Sequence, residues 1–131
     1  MATNAMLVKY NKSDELFREE DAKVLESHLI INEILIFIEE KKLTKNIKIL
    51  EEDTSKKIDI TILEIKSLEI ILNKIKEIVK EKSKLLSSDK QSEKEEDVLL
   101  NDCRTLLNLR GLFLEKVERY SNENHILIQI G

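Results

Sequence analysis

Few side chains in this sequence are suited to chemistry. There are two histidines, His28 and His125, and one cysteine, Cys103. No H-x-x-x-H, E-x-x-H or C-x-x-C spacing occurs. Protein metal centres draw on His, Cys and carboxylates at such spacings, so no residue is assigned to a metal and no cofactor is expected. Phosphate-cradling loops need clustered glycines, and this chain has two isolated ones, Gly111 and Gly131. Cys103 falls at a helical spacing among leucines and reads as a small buried hydrophobe. His28 reads as a hydrogen-bonded packing residue. What remains is one pair, Arg119 and His125, in an R-x5-H spacing.

That spacing resembles the short Arg/His signature of the HEPN nucleases, which are helical bundles of similar length. The resemblance implies that Arg119 handles a phosphate and that His125, on the same helix, acts as acid or base. It rests on two positions, and Tyr120 stands where that family usually places a polar residue. The plainer reading makes Arg119 a solvated helix residue and His125 a surface one. The expected class is therefore non-enzymatic, with no catalytic residue assigned and a helical ribonuclease as an alternative.

The elements that would carry these groups follow from composition and period. The chain has 131 residues, room for one core. It has no Pro and two Gly, against 37% charged and 41% hydrophobic residues. Few breakers among so many Leu, Ile, Lys and Glu predict long helices. The net charge is −4, with acids and lysines interspersed, which is not the basic footprint of a nucleic-acid binder. A single cysteine and the lack of a signal-peptide pattern predict a cytoplasmic protein. The longest apolar run, LIINEILIFI at 29–38, contains Asn32 and Glu33 and is too short to span a bilayer.

Residues 1–12 read as an unordered or expression-derived leader, and residues 13–131 as one helical domain. Ser13 predicts an N-cap, with Asp14 and Glu15 in the first helical turn. Phe17, Val24, His28, Ile31, Leu35 and Ile38 then follow at spacings of three, four or seven. Leu43, Ile47 and Leu50 continue them, so one helix is expected over 14–51, with a bend near Thr44–Asn46. A strand at 29–38 is the rival reading. After a break at EEDTS (51–55), Ile58, Thr61, Ile65, Leu68, Leu72, Ile75, Val79, Lys82 and Leu86 form a heptad seam over 57–86. A polar linker occupies 87–94. Within it Ser92 begins a capping box with Glu95, which starts a third helix over 95–128. Its seam reads Leu99, Cys103, Leu106, Arg110, Phe113, Val117, Tyr120, Asn124 and Leu127, and Gly111 offers a site of close packing. The predicted fold class is all-α: three long antiparallel helices forming a bundle or a helical hairpin with coiled-coil-like seams.

The closing segment, RYSNENHILIQIG, crowds Ile126, Leu127, Ile128 and Ile130 together. The period runs through it, so helix is expected there, with extended backbone after Asn124 as the alternative. Two stretches, ILIFIEEKKLTKNIKIL at 34–50 and YSNENHILIQ at 120–129, resemble the FlgN family of flagellar export chaperones. Ile34, Leu35, Ile38, Glu39, Leu43 and Leu50 carry the first likeness, and Asn124, Leu127 and Ile128 the second. The Leu43-to-Leu50 gap is one residue short, and Ser121 stands where another Asn is common. The resemblance implies a late helix that holds the disordered end of a hook–filament junction protein.

The expected function is thus a protein-binding module for a client's amphipathic helix or disordered tail, with a structural or oligomerising coiled coil as the alternative. Self-association is a further possible partnership. The partner-binding residues are Phe113, Val117, Tyr120, Asn124, Leu127 and Ile128. Their apolar members supply buried area, and Asn124 supplies a hydrogen bond to client backbone. On this reading, aspartates at Leu127 and Ile128 abolish binding and leave helicity intact.

Overall fold

Alternating side chains, rather than a helical stripe, organise the first part of the chain. A computed structural model describes residues 2–13, 16–54, 56–88 and 91–131. Strands β1 (Asn4–Ser13) and β2 (Leu16–Leu29) form an antiparallel hairpin. Helix α1 (Asn32–Glu40) crosses to β3 (Thr44–Leu50), which turns back into β4 (Lys57–Leu63). Helices α2 (Ile65–Leu86) and α3 (Glu93–Leu114) follow, then a π-helical turn (Glu115–Arg119) and β5 (Ile126–Ile130).

The strands close a barrel in the order β1-β2-β3-β4-β5. β5 lies between β1 and β4, antiparallel to both, with Ile128 opposite Leu7 on one side and Leu63 on the other. Among the described residues, β2 and β3 meet in parallel at just two positions, Phe17↔Ile49 and Arg18↔Leu50. The hairpin reaches β3 because β2 bends. Lys9 pairs with Lys23, but Asn11 pairs with Arg18, and Asp21 in the extra length adopts φ 61°. Such bulges sharpen the bend of a strand.

Two apolar layers result. Val8, Tyr10, Ile49, Ile60 and Ile62 fill the barrel, together with Met6, Phe17, Ala22, Ile47, Ile58 and Leu127. All five strands contribute to this set, which places it inside. The other face of β1 and β5 presents Ala5, Leu7, Ile126 and Ile128 to the helices. There Ile34 and Ile38 of α1, Ile71 and Ile75 of α2, and Leu109 and Phe113 of α3 complete the larger core.

The all-α expectation is thus overturned: the protein is mixed α/β, a closed five-stranded barrel with three helices, and not a helical bundle or coiled coil. The span 14–51 divides into β2, α1 and β3. The span 57–86 opens with β4 and becomes helical at Ile65. The span 95–128 ends its helix at the π turn and finishes as β5. β1 occupies the residues expected to be a leader, and Ser13 ends that strand instead of capping a helix. Asp14 and Glu15, Ser55 of the expected break, Asp89 and Lys90 of the expected linker, and Met1 lie outside the described residues.

The error has a physical cause. KIDITIL alternates with period two, placing Ile58, Ile60 and Ile62 inside the barrel and Lys57, Asp59 and Thr61 outside. β5 packs apolar residues on both faces, Ile126 and Ile128 buried toward the helices and Leu127 partly buried toward the barrel, so ILIQI reads as a continuous aliphatic run, which a helix end can mimic. Pro and Gly, which usually punctuate strands, are missing from every turn of this chain.

The helices that do form follow local rules. The Ser92 hydroxyl accepts from the Glu95 amide at 3.2 Å, and Glu93, Glu95 and Glu96 sit in the first turn of α3, favoured by the helix dipole. Its inward face is Leu106, Leu109, Leu112 and Phe113, while Arg110 is exposed. A methyl group at Gly111 would meet nothing within 4 Å, so this glycine serves no close packing. Cys103 is partly exposed, not buried.

α2 buries Leu68, Ile71, Ile75 and Ile78, and the stripe continues to Lys82. Lys82, with its side chain 12% exposed, reaches Glu33 of α1 at 2.9 Å and Asp102 of α3 at 3.3 Å. One ammonium thus ties three helices together. Burial pulls its pKa down, but the bonds to Glu33 and Asp102 outweigh that and hold it above 10.5. The stabilisation is therefore complete below pH 10.5 and fades as pH rises through the raised value. Lys82→Met is expected to lose about 1–2 kcal/mol near neutrality, and less in strong alkali. Urea titrations at the two pH values check this. A deficit that does not shrink in alkali means that Lys82 acts only through its aliphatic stem.

Candidate functional site

A cleft of about 610 Å³ opens at one mouth of the barrel. Phe17, Ile62 and Leu127, all members of the barrel interior, line it together with Leu63 and Ile65. Its polar wall consists of Lys45, Lys66, Lys116, Glu64, Ser121 and Asn124. Elements distant in sequence build it: the start of β2, the start of β3, the β4–α2 junction, the π turn and the start of β5.

Its electrostatics are positive. Three lysines face one glutamate. α2 begins at the cleft, and no side chain caps its first turn. The positive end of the α2 dipole therefore adds to the lysines.

Lys116 is the most constrained of these groups. It is 6% exposed, and its ammonium donates to the carbonyls of Tyr120 at 2.9 Å and Glu123 at 3.0 Å. Burial pushes its pKa below 10.5, and the negative charge of Glu123 opposes that only in part. The π turn carries Lys116 into this position. There the Tyr120 amide bonds back to the Glu115 carbonyl, five residues earlier. Single π turns inside helices occur often at functional sites.

The expected partner-binding residues divide among three environments. Phe113 and Ile128 are fully buried in the core between helices and sheet, out of reach of any partner. Val117 and Tyr120 are partly buried against that core. Asn124 and Leu127 line the cleft, and they are the two that the structure brings to one place. The helix face expected to present all six ends at Arg119, so no such face exists.

Arg119 and His125 do not share a helix either. Arg119, 70% exposed, pairs with Glu115 at 3.7 Å and lies over the Tyr120 ring at 5.3 Å. His125 pairs with Glu123 at 3.6 Å in the turn before β5, and its carbonyl accepts from the Tyr10 amide. His28 is on β2, with Nε2 2.7 Å from a Glu26 carboxylate oxygen. Among the described residues, no group of three or more His, Cys, Asp or Glu could hold a metal ion. Among them too, no helix is long and apolar enough to cross a membrane.

Sequence reasoning missed Phe17, Lys45, Lys66 and Lys116. One signal for Lys116 was present: it continues the Leu106, Leu109, Phe113 stripe, and a lysine on a buried stripe needs an oxygen partner. Nothing local marked Phe17, Lys45 or Lys66, because the barrel closure alone brings them together. Compared with protein families, curated proteins and solved structures, the chain matches none.

Proposed function

We propose that this chain is a non-catalytic binding protein that takes an extended, acidic and partly apolar segment of another polypeptide at the barrel mouth. One observation carries the reading: an open sheet edge borders a cleft with an apolar floor and a lysine wall. β3 pairs with β4 along its whole length but with β2 only at Ile49 and Leu50. From Thr44 to Lys48 its other edge has no strand beside it among the described residues, and Lys45 on that stretch lines the cleft.

An added peptide strand can hydrogen-bond to that edge and place alternate side chains in the cleft. Aliphatic side chains suit Phe17, Ile62 and Leu127, and carboxylates suit Lys45, Lys66 and the uncapped α2 terminus. Ser121 and Asn124 offer further hydrogen bonds. This reading keeps the polypeptide-binding class expected from sequence, but replaces a helix face with a strand edge.

Selection from a random peptide library tests the proposal. Bound peptides should alternate Asp or Glu with Leu, Ile or Val. The double change Lys45→Glu with Lys66→Glu should weaken them about tenfold or more, roughly 1.4 kcal/mol, with unfolding unchanged. Amide signals of Thr44–Lys48 should shift on binding. Selection of basic or neutral peptides, or binding indifferent to the two lysines, would sink the idea.

A further inference from the structure

β2 is an edge strand for most of its length. Phe17 and Arg18 pair with β3, but from Lys23 to Leu29 the strand beside it is β1 alone among the described residues. The Ile30 amide donates to the Thr3 carbonyl, and Ala5 pairs with His28. By alternation, the main-chain groups of His28 and Glu26 face β1, and those of Ser27 and Leu29 face outward. Leu25 is the extra residue where the register shifts between Leu7 and Val8, so it has no partner on β1. Proteins usually blunt such edges with charge, proline, bulges or short length. This one carries the bulge at Leu25 yet still exposes Val24 at 58%, Leu25 at 44% and Leu29 at 42%.

We propose that this edge pairs antiparallel with the same edge of a second copy of the chain, about a two-fold axis at Ser27. Its sequence is self-complementary in that register. Leu25 falls opposite Leu29 of the second copy, and Glu26 opposite His28. Leu25, Ser27 and Leu29 share one side of the ribbon, and Glu26 and His28 the other. One side therefore gathers leucines from both copies, while the other joins two acid–imidazole pairs into one network. Within each copy that pair already stands at 2.7 Å. An axis at Leu25 would set Glu26 against Val24, and an axis at Leu29 would set His28 against Ile30. Both lose the match, so the complementarity belongs to the Ser27 register and to this chain as its own partner. The surface is separate from the barrel mouth, and Lys45→Glu with Lys66→Glu should leave the dimer intact.

Sedimentation equilibrium over a wide concentration range tests this. The full chain should dimerise reversibly. Ser27→Pro should be monomeric with an unchanged circular dichroism spectrum, because the Ser27 amide faces away from β1 and proline is tolerated on such an edge. His28→Glu should weaken association about tenfold or more, since glutamates then face each other, and Glu26→Lys should weaken it by removing the carboxylate that His28 meets. The two together should restore it, with lysine opposite glutamate across the axis. A chain monomeric at every concentration overturns the proposal and leaves the edge to a different protein. So does a dimer that persists in folded Ser27→Pro, or a double variant that stays monomeric. If Ser27→Pro fails to fold, the charge set alone decides.

Discussion

Ile128→Asp is expected to abolish the fold. The side chain is fully buried on the helix-facing side of β5, between Leu7 and Leu63 in the sheet. Removing it forfeits roughly 2–4 kcal/mol of burial and packing. A carboxylate within that apolar core costs several kcal/mol more, whether it stays charged or takes up a proton. The total, about 5 kcal/mol or more, is comparable to the whole stability of an ordinary domain, about 5–15 kcal/mol. Leu127→Asp, one residue away, should lose far less, because Leu127 borders the open cleft. The sequence reading expected both changes to spare the fold. Circular dichroism and urea titration separate the two accounts: a cooperative, near-native transition in Ile128→Asp would refute the placement of β5 within the sheet.

Lys116→Met is expected to destabilise by about 2 kcal/mol, since two carbonyls lose a charged donor while the stem volume is kept. The loss falls on the Tyr120–Glu123 turn, which leads directly into β5. The pH dependence gives the sharper test. With its pKa depressed by burial, folded Lys116 releases its proton at lower pH than the unfolded chain does. Between the depressed value and 10.5 the unfolded state binds more protons, so this group makes stability rise with pH. Below that window both states are protonated and the slope vanishes. Tyr10 acts oppositely: burial, with help from Glu19, raises its pKa above 10.0, so its ionisation costs stability in stronger alkali. Lys82 also loses its contribution there. Wild type should therefore gain stability on approach to pH 10 and lose it beyond, and Lys116→Met should lack the gain. A variant with the same alkaline profile as wild type would mean that Lys116 is not desolvated in the native state.

The candidate site was legible only in fragments. Asn124 and Leu127 were named from the sequence and do line the cleft, though for a wrong reason. They were read as neighbours on a helix, and they meet instead because a turn delivers β5 to the barrel mouth. Phe113 and Ile128 were read as partner-binding residues on that helix face. The same apolar character that suggested a binding surface is what buries them, since large apolar side chains go to whichever face the fold closes.

What the sequence determined by itself is local. The Ser92–Glu95 box starts α3, and of the seam read for α2, Leu68 and Ile75 are buried and Leu72 and Val79 partly buried beside them, because helix contacts join residues three and four apart. The strands depend on partners far along the chain: Leu7 needs Ile128, Ile128 needs Leu63, and Phe17 needs Ile49. An aliphatic run such as ILIQI satisfies a helix or a doubly buried strand equally well until those partners exist. Tertiary structure alone decided between them, since only closure of the barrel supplies hydrogen bonds on both edges of β5 and apolar cover on both its faces.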